Sequence, residues 1–312
     1  MSKQITKPAV MVETEDRNPN VSFIVFVLLM QQTLGGITFP VAKFGLTYIE
    51  PFTFAFFRFV LSSIVLLAIS GLTRHRVAVE RGDYWKLVGL GILIIPFNQA
   101  MYLVGQSLTG AGHGSLLFAT VPVWILIGAM FKLREKPSLW RIVGIVVAMS
   151  GVIIVMTAGA VRISTEYLWG DLIILIAVLA WAYYTVLGKP LVRKYGAIRV
   201  TAYALASGSA VYFPFGLYMA LKMDYSAVPI AAWASVAYVA LGVSVGAYVL
   251  WYWVLKYMEA SRIAVFHNMQ PLIASAVAYV WLDEPLGLPF IIGGTIALAG
   301  VIIAERDSYL SG

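Results

Sequence analysis

Apolar runs of roughly 20 residues follow one another along nearly the whole chain. No other feature limits its fold so strongly, because 20 helical residues at 1.5 Å each cross a hydrocarbon core about 30 Å thick. The runs occupy 21–45, 51–71, 86–106, 111–132, 139–158, 169–189, 199–221, 230–256, 261–282 and 287–305. Lipid admits only structures whose backbone groups are bonded internally, so each run is a helix or part of a closed barrel; barrel strands would be shorter and alternate with a period of two. The sequence therefore predicts an all-α integral membrane protein of about ten transmembrane helices. Composition agrees: 61% of the 312 residues are hydrophobic and 12% charged, against about 25% charged in a soluble domain.

A formal net charge of +7 would suggest a nucleic-acid partner in a soluble chain, but here the bases sort by loop. With the N-terminus in the cytoplasm, Arg74, Arg76, Arg81 and Lys86 fall inside, as do Lys132, Arg134, Lys136 and Arg141, and then Lys189, Arg193, Lys194 and Arg199. Outside remain Lys43, Arg162 and Lys222. This asymmetry predicts a multi-pass protein of a cell inner (plasma) membrane with both termini cytoplasmic, its basic loops facing anionic lipid rather than nucleic acid. Residues 1–20 are polar, lack the pattern of a signal peptide and are expected to form a cytoplasmic tail. The chain has no cysteine, so it can form neither a disulfide framework nor a thiolate metal site.

The segment "GAGHGSLLFATVPVWILIGAMFKLREKPSLWRIVGIVVAMSGVII", from Gly110, aligns without a gap on "EASRIAVFHNMQPLIASAVAYVWLDEPLGLPFIIGGTIALAGVII", from Glu259. Pro122 falls on Pro271, Glu135 on Glu284, Gly144 on Gly293 and Gly151 on Gly300. Self-similarity on this scale marks a duplicated unit, here of about five helices, over 21–158 and 169–306. An odd number of spans per unit sets the two halves in opposite orientations. The loop charges agree, "KLREK" in the first against "WLDEP" in the second. Inverted repeats of this kind belong to secondary transporters, whose substrate sits near the midplane between the halves.

The same residues carry a resemblance. "PFTFAFFRFVLSSIVLL", "FATVPVWILIGAMFKLREKPSLWRIVGIVVAMSGVII", "GDLIILIAVLAWAYYTVL" and "LGVSVGAYVLWYWVLKYMEASRIAVFHNMQPLIASAVAYVWLDEP" are similar to EamA-type members of the drug/metabolite transporter superfamily, over roughly residues 21–306. The resemblance implies export and a preference for amino acids or similar amphipathic solutes. One departure is Gly35-Gly36, where the family's first helix often carries Trp-Gly, so a bulky wall of the implied cavity is missing.

Polar residues inside apolar spans mark the candidate site, because an ion or amide in hydrocarbon must find a partner. Arg58 lies about seven residues, near 10 Å, into the second span. Three partners are open to it: backbone carbonyls of a broken helix, Glu50 at the same mouth, or an anionic group on a solute. In the third span Asn98, Tyr102 and Gly105 share one helical face just after Pro96, with Gln99 on the neighbouring stripe. The ninth span is polar at His267, Asn268 and Gln270, where its repeat partner has Phe118, Ala119 and Val121. His267 is also the one deep residue able to titrate near neutral pH, hence the candidate for proton coupling. Trp181 and Tyr184, with Tyr248 and Trp251, could enclose an apolar or cationic part of a solute. Interhelical hydrogen bonding and membrane-interface packing compete with a binding role for all of these. Pro122, Pro271, Glu135 and Glu284, at matching repeat positions, read as gating or structural residues.

No two-histidine metal spacing, phosphate loop or close carboxylate pair occurs, so no enzyme, cofactor or metal site is expected. The leading expectation is an alternating-access secondary transporter that moves a small metabolite outward, as a monomer or homodimer with membrane lipid around it. A proton-coupled multidrug exporter is the second reading, and a receptor or scaffold without transport is the third.

Overall fold

Each helix starts where the local chemistry can satisfy its free N–H groups. The computed structural model describes residues 19–73, 78–108, 117–157, 168–282 and 288–305, and every regular element among them is helical. Helix α1 (Val21–Leu46) is capped by Asn20, whose side chain accepts the Ser22 N–H at 3.1 Å. Helix α2 (Pro51–Leu72) begins on Pro51, and the Glu50 carboxylate accepts the Thr53 N–H at 2.8 Å.

Helix α3 runs over 81–108 and changes pitch midway: Arg81–Ile92 is ordinary helix, Leu93–Ala100 is π-helical, and Met101–Leu108 is ordinary again. Pro96 sits inside the π segment, where its missing N–H and bulky ring disfavour the normal ladder. After α4 (Val121–Leu133), Arg134 turns the chain in the left-handed region at φ 56°. Helices α5 (Leu139–Thr157) and α6 (Leu168–Tyr195) follow. Gly196, at φ 81°, makes the tight turn into α7 (Ala197–Lys222), a conformation that an L side chain resists. Helix α8 (Ile230–Tyr257) carries its own π segment, Val239–Ala247, at nearly the repeat-equivalent place to that of α3. Helix α9 covers 260–282, tightening to a 3-10 turn over Val265–Asn268 just ahead of Pro271, and α10 is Leu288–Glu305.

Among the described residues six helices are long and apolar enough to cross a membrane: Val21–Leu46, Pro51–Leu72, Arg81–Gly105, Leu168–Tyr195, Ala197–Lys222 and Ile230–Tyr257. Val121–Leu133, Leu139–Ile154 and Leu288–Ala304 are shorter apolar helices. The distribution of polarity fits lipid as the solvent. Phe26, Ile64, Phe131, Val146 and Ile302 are exposed, whereas Gln31, Gln32, Ser62, Thr185, Thr201 and Ser244 are buried.

Glycine decides one close contact. A methyl group built on Gly151 would lie 2.3 Å from the Ala297 nitrogen, and one on Gly144 would lie 2.5 Å from the Ala304 nitrogen. Contacts that descend in α10 as they ascend in α5 mean the two helices run antiparallel, backbone against backbone. Dispersion between such close surfaces replaces the hydrophobic drive that lipid cannot supply.

Candidate functional site

Arg58 projects from α2 into a cavity of about 590 Å³ that it shares with α1, α3, α6, α8 and α9. Its Nε donates to Ser244 Oγ at 2.8 Å, its Nη1 to Gln99 Oε1 at 3.0 Å and its Nη2 to Tyr248 OH at 3.4 Å. Its guanidinium also lies 4.7 Å from the centre of the Phe59 ring. Both π segments serve this arrangement: the one in α3 presents Gln99, the one in α8 presents Ser244, and Tyr248 follows directly. The offset that sets Gly110 on Glu259, carried back along the chain, sets Gln99 on Tyr248. Glu50, used as the α2 cap, is not among the residues bonded to Arg58, and no carboxylate lines the cavity among the described residues. Among the described residues every hydrogen-bond partner of the cation is therefore a neutral side chain, an answer that residue spacing does not disclose.

The relay continues away from the cavity. Gln99 Nε2 donates to Asn98 Oδ1 at 2.6 Å, and Asn98 Nδ2 donates to the Ala177 carbonyl of α6 at 2.8 Å. Asn98 is 1% exposed, so these bonds satisfy an amide that burial would otherwise penalise. Tyr102 lines the cavity with it, but Gly105, expected on the same face, packs against α6: a methyl there would lie 2.5 Å from Ile174 Cγ1. Asn98 and Gly105 thus both meet α6, at Ala177 and Ile174, while Asn98 and Tyr102 both line the cavity.

An aromatic wall closes one side. Trp181 stacks on His267 with ring centres 5.5 Å apart and planes 22° apart, and it meets Tyr248 at 5.5 Å. Tyr102 and Phe118 pack edge-to-face at 5.2 Å. Gln270 and Pro271 also line the cavity, and the Gln270 amide occupies the space above Gly35, where a methyl would come within 2.5 Å of its Nε2. Among lining residues, Trp181 Nε1, His267 Nδ1 and Gln31 Oε1 are buried polar atoms without a hydrogen-bond partner in the protein.

Tyr184, Trp251, Asn268 and Pro122 do not line the cavity. Tyr184 stacks on Tyr252 at 4.7 Å, and its carbonyl accepts the Tyr252 hydroxyl at 2.9 Å. Trp251 Nε1 donates to Thr185 Oγ1 at 3.1 Å, and Pro122 is buried in the first turn of α4. Asn268 is 1% exposed and lies behind the wall. These side chains support the wall rather than form it.

The cavity extends to Lys43, Thr47 and Pro51 at the α1–α2 turn. The opposite end of the bundle is tied shut. Glu135, just past α4, accepts Lys189 Nζ at 2.8 Å and the Ala260 N–H at 2.9 Å on one oxygen, and the Ser261 N–H at 3.0 Å and hydroxyl at 2.7 Å on the other. Lys189 Nζ also donates to the Met258 carbonyl at 2.8 Å. Beside them Arg141 pairs with Glu259 and donates to Ser261 Oγ at 3.0 Å. Burial pushes the Glu135 carboxyl upward, but the Lys189 ammonium and the two backbone N–H groups outweigh it and hold the group below its ordinary value. Its repeat partner Glu284 lies outside the described residues.

Sequence reasoning misses Gln31, Ser244 and Lys189. Gln31, an amide inside the apolar run 21–45, offered the same signal as Asn98. For Lys189, counted with the basic loops, no such signal exists, because its role depends on α4, α6 and α9 meeting.

The model of the EamA-like transporter family matches residues 22–157 and again residues 168–305. An uncharacterized transporter of Archaeoglobus fulgidus is 28% identical over 273 residues, 87% of this chain and 93% of that protein. A Streptantibioticus cattleyicolor protein named "Probable terminal-alkyne amino-acid exporter" is 30% identical over 286 residues, 90% of this chain and 93% of its own length. A crystal structure 17% identical in sequence shares the fold at a TM-score of 0.77, covering 91% of this chain and 97% of the other.

Proposed function

The chain belongs to the EamA-like transporter family, and from that premise we propose that it is an alternating-access carrier exporting a small carboxylated metabolite, an amino acid or similar amphipathic solute. The single observation that carries this reading is Arg58, a cation on the cavity wall bonded only to neutral side chains. Neutral acceptors hold the guanidinium in place without cancelling its charge, so an anionic group on a solute gains what the protein leaves unanswered.

The arrangement at the two ends supports alternating access. One end offers a mouth at the α1–α2 turn, while the other is closed by the Glu135–Lys189 pair and its neighbours. In this reading the fold is two inverted five-helix repeats of about ten spans, with boundaries near 21–158 and 169–306. The antiparallel glycine contacts of α5 with α10 support it, since a two-fold axis in the membrane plane makes equivalent helices run in opposite directions. With both termini cytoplasmic, as the loop charges favour, the mouth faces outward and the tied end faces the cytoplasm. The name of the similar amino-acid exporter supports the cargo class.

The test is counterflow in liposomes containing the purified protein, with radiolabelled carboxylated amphipaths inside or outside. The wild type is expected to exchange them, and Arg58→Gln to lose roughly ten- to hundredfold in apparent affinity, the loss of one charge-assisted interaction. Exchange of neutral solutes with no exchange of carboxylates would overturn the reading.

A further inference from the structure

We propose that the cavity selects solutes that arrive as net anions, a carboxylate on an apolar body without an ammonium, over zwitterions and cations. The inference rests on the carrier reading above and, among the carboxylated solutes that reading admits, favours the amphipathic carboxylates over the free α-amino acids.

A guanidinium has five N–H donors. The bonds to Ser244, Gln99 and Tyr248 use one on Nε and one on each terminal nitrogen, which leaves a donor on each terminal nitrogen. Two donors on one planar fork match the two oxygens of a carboxylate. Trp181, 6% exposed, lines the cavity, and its indole N–H, which can only donate, is buried without a partner in the protein. Both groups call for oxygen acceptors.

Nothing comparable receives an ammonium. Among the described lining residues none is acidic. Gln31 Oε1 and His267 Nδ1 are unpartnered on the wall, neutral groups suited to a hydroxyl or amide N–H. The ammonium of an α-amino acid sits on the carbon next to its carboxylate, so binding the carboxylate at Arg58 draws a like charge close to the guanidinium. Among the described lining residues no carboxylate offsets that repulsion. An anion leaves the occupied site neutral; a zwitterion leaves the original positive charge in place. The remaining wall, with the Trp181–His267 stack, Phe118, Leu103 and Val243, suits an apolar or flat body.

The experiment uses the full-length purified protein and two matched sets: 3-phenylpropanoate, phenylalanine and phenethylamine, then octanoate, 2-aminooctanoate and heptylamine. Members of a set differ in the charged groups and share the apolar body. Dissociation constants come from isothermal titration calorimetry. The simple carboxylate of at least one set is expected to bind about tenfold or more tightly than its amino acid, with no heat from the amine, and Arg58→Gln to remove that advantage. Trp181→Phe, which keeps the ring and loses the donor, is expected to weaken the carboxylate several-fold more than the amino acid, and serves if the arginine variant does not fold. An amino acid binding as tightly as its desamino partner overturns the inference while leaving the carrier reading intact. Binding by neither carboxylate overturns it as well, and the counterflow assay then decides the carrier reading separately. Binding by an amine alone sinks both.

Discussion

Replacing Glu135 with glutamine tests the tied end of the bundle in a way that yields a number. Glu135 and Lys189 are 7% and 4% exposed at their side chains, so the pair is nearly sealed from water. Glutamine keeps the shape but removes the charge, and it sets an NH₂ group where one oxygen now accepts protein donors. Lys189 then keeps the Met258 carbonyl as a neutral partner and loses its counterion. Leaving one member of a buried pair uncompensated costs about 3–5 kcal/mol. That penalty falls on the state in which the end is closed. A conformation that opens this end lets water reach Lys189 and relieves most of it. The equilibrium between the two states therefore shifts by several kcal/mol at most, and a shift of about 3 kcal/mol is on the order of a hundredfold. The absence of native cysteine makes the assay direct. A single cysteine at Thr38, on the cavity wall, reports access from the mouth to a membrane-impermeant maleimide. Thr38→Cys is expected to label readily alone and far more slowly when combined with Glu135→Gln. Adding Lys189→Met should restore much of the rate, because it removes the stranded charge. Labelling that does not change between the single and double variants would refute the idea that this ion pair holds the closed end.

Two further outcomes follow. Because the Glu135 carboxyl sits below its ordinary value of about 4.3, its contribution is complete above that value and is lost only as pH falls through the lower folded-state value; thermal stability should show no loss from this group between pH 8 and 5, and Glu135→Gln should blunt the acid limb of the pH–stability curve. Gly151→Ala should lower thermal stability by about 1–3 kcal/mol through overpacking against Ala297, whereas Gly89→Ala, where a methyl meets nothing within 4 Å, should not destabilise the protein; equal melting temperatures for the two variants would contradict the close α5–α10 contact.

The limits of sequence reading appear in individual residues. Arg58 was legible as a residue that must face the interior, since hydrocarbon cannot solvate a guanidinium, but its partners lie 41, 186 and 190 residues away. Helical periodicity identified a face at Asn98, Tyr102 and Gly105, and the structure divides it between the cavity, which Asn98 and Tyr102 line, and α6, which Asn98 and Gly105 meet. Aromatic residues of α6 and α8 looked equivalent on paper. Trp181 and Tyr248 meet the cavity, while Tyr184 and Trp251 are engaged by Tyr252 and Thr185 behind it.

The sequence by itself determined the solvent and the class of fold, because the length and polarity of an apolar run are local quantities measured against a bilayer of known thickness. It also carried the duplication, since repeated residues survive in order whatever their environment. Only the tertiary structure decided which polar groups share one cavity and which end of that cavity is tied. Depth, facing and partnership arise from helices distant in the chain coming together, and the energy of a buried charge depends on what stands within a few ångströms of it rather than on its neighbours in sequence.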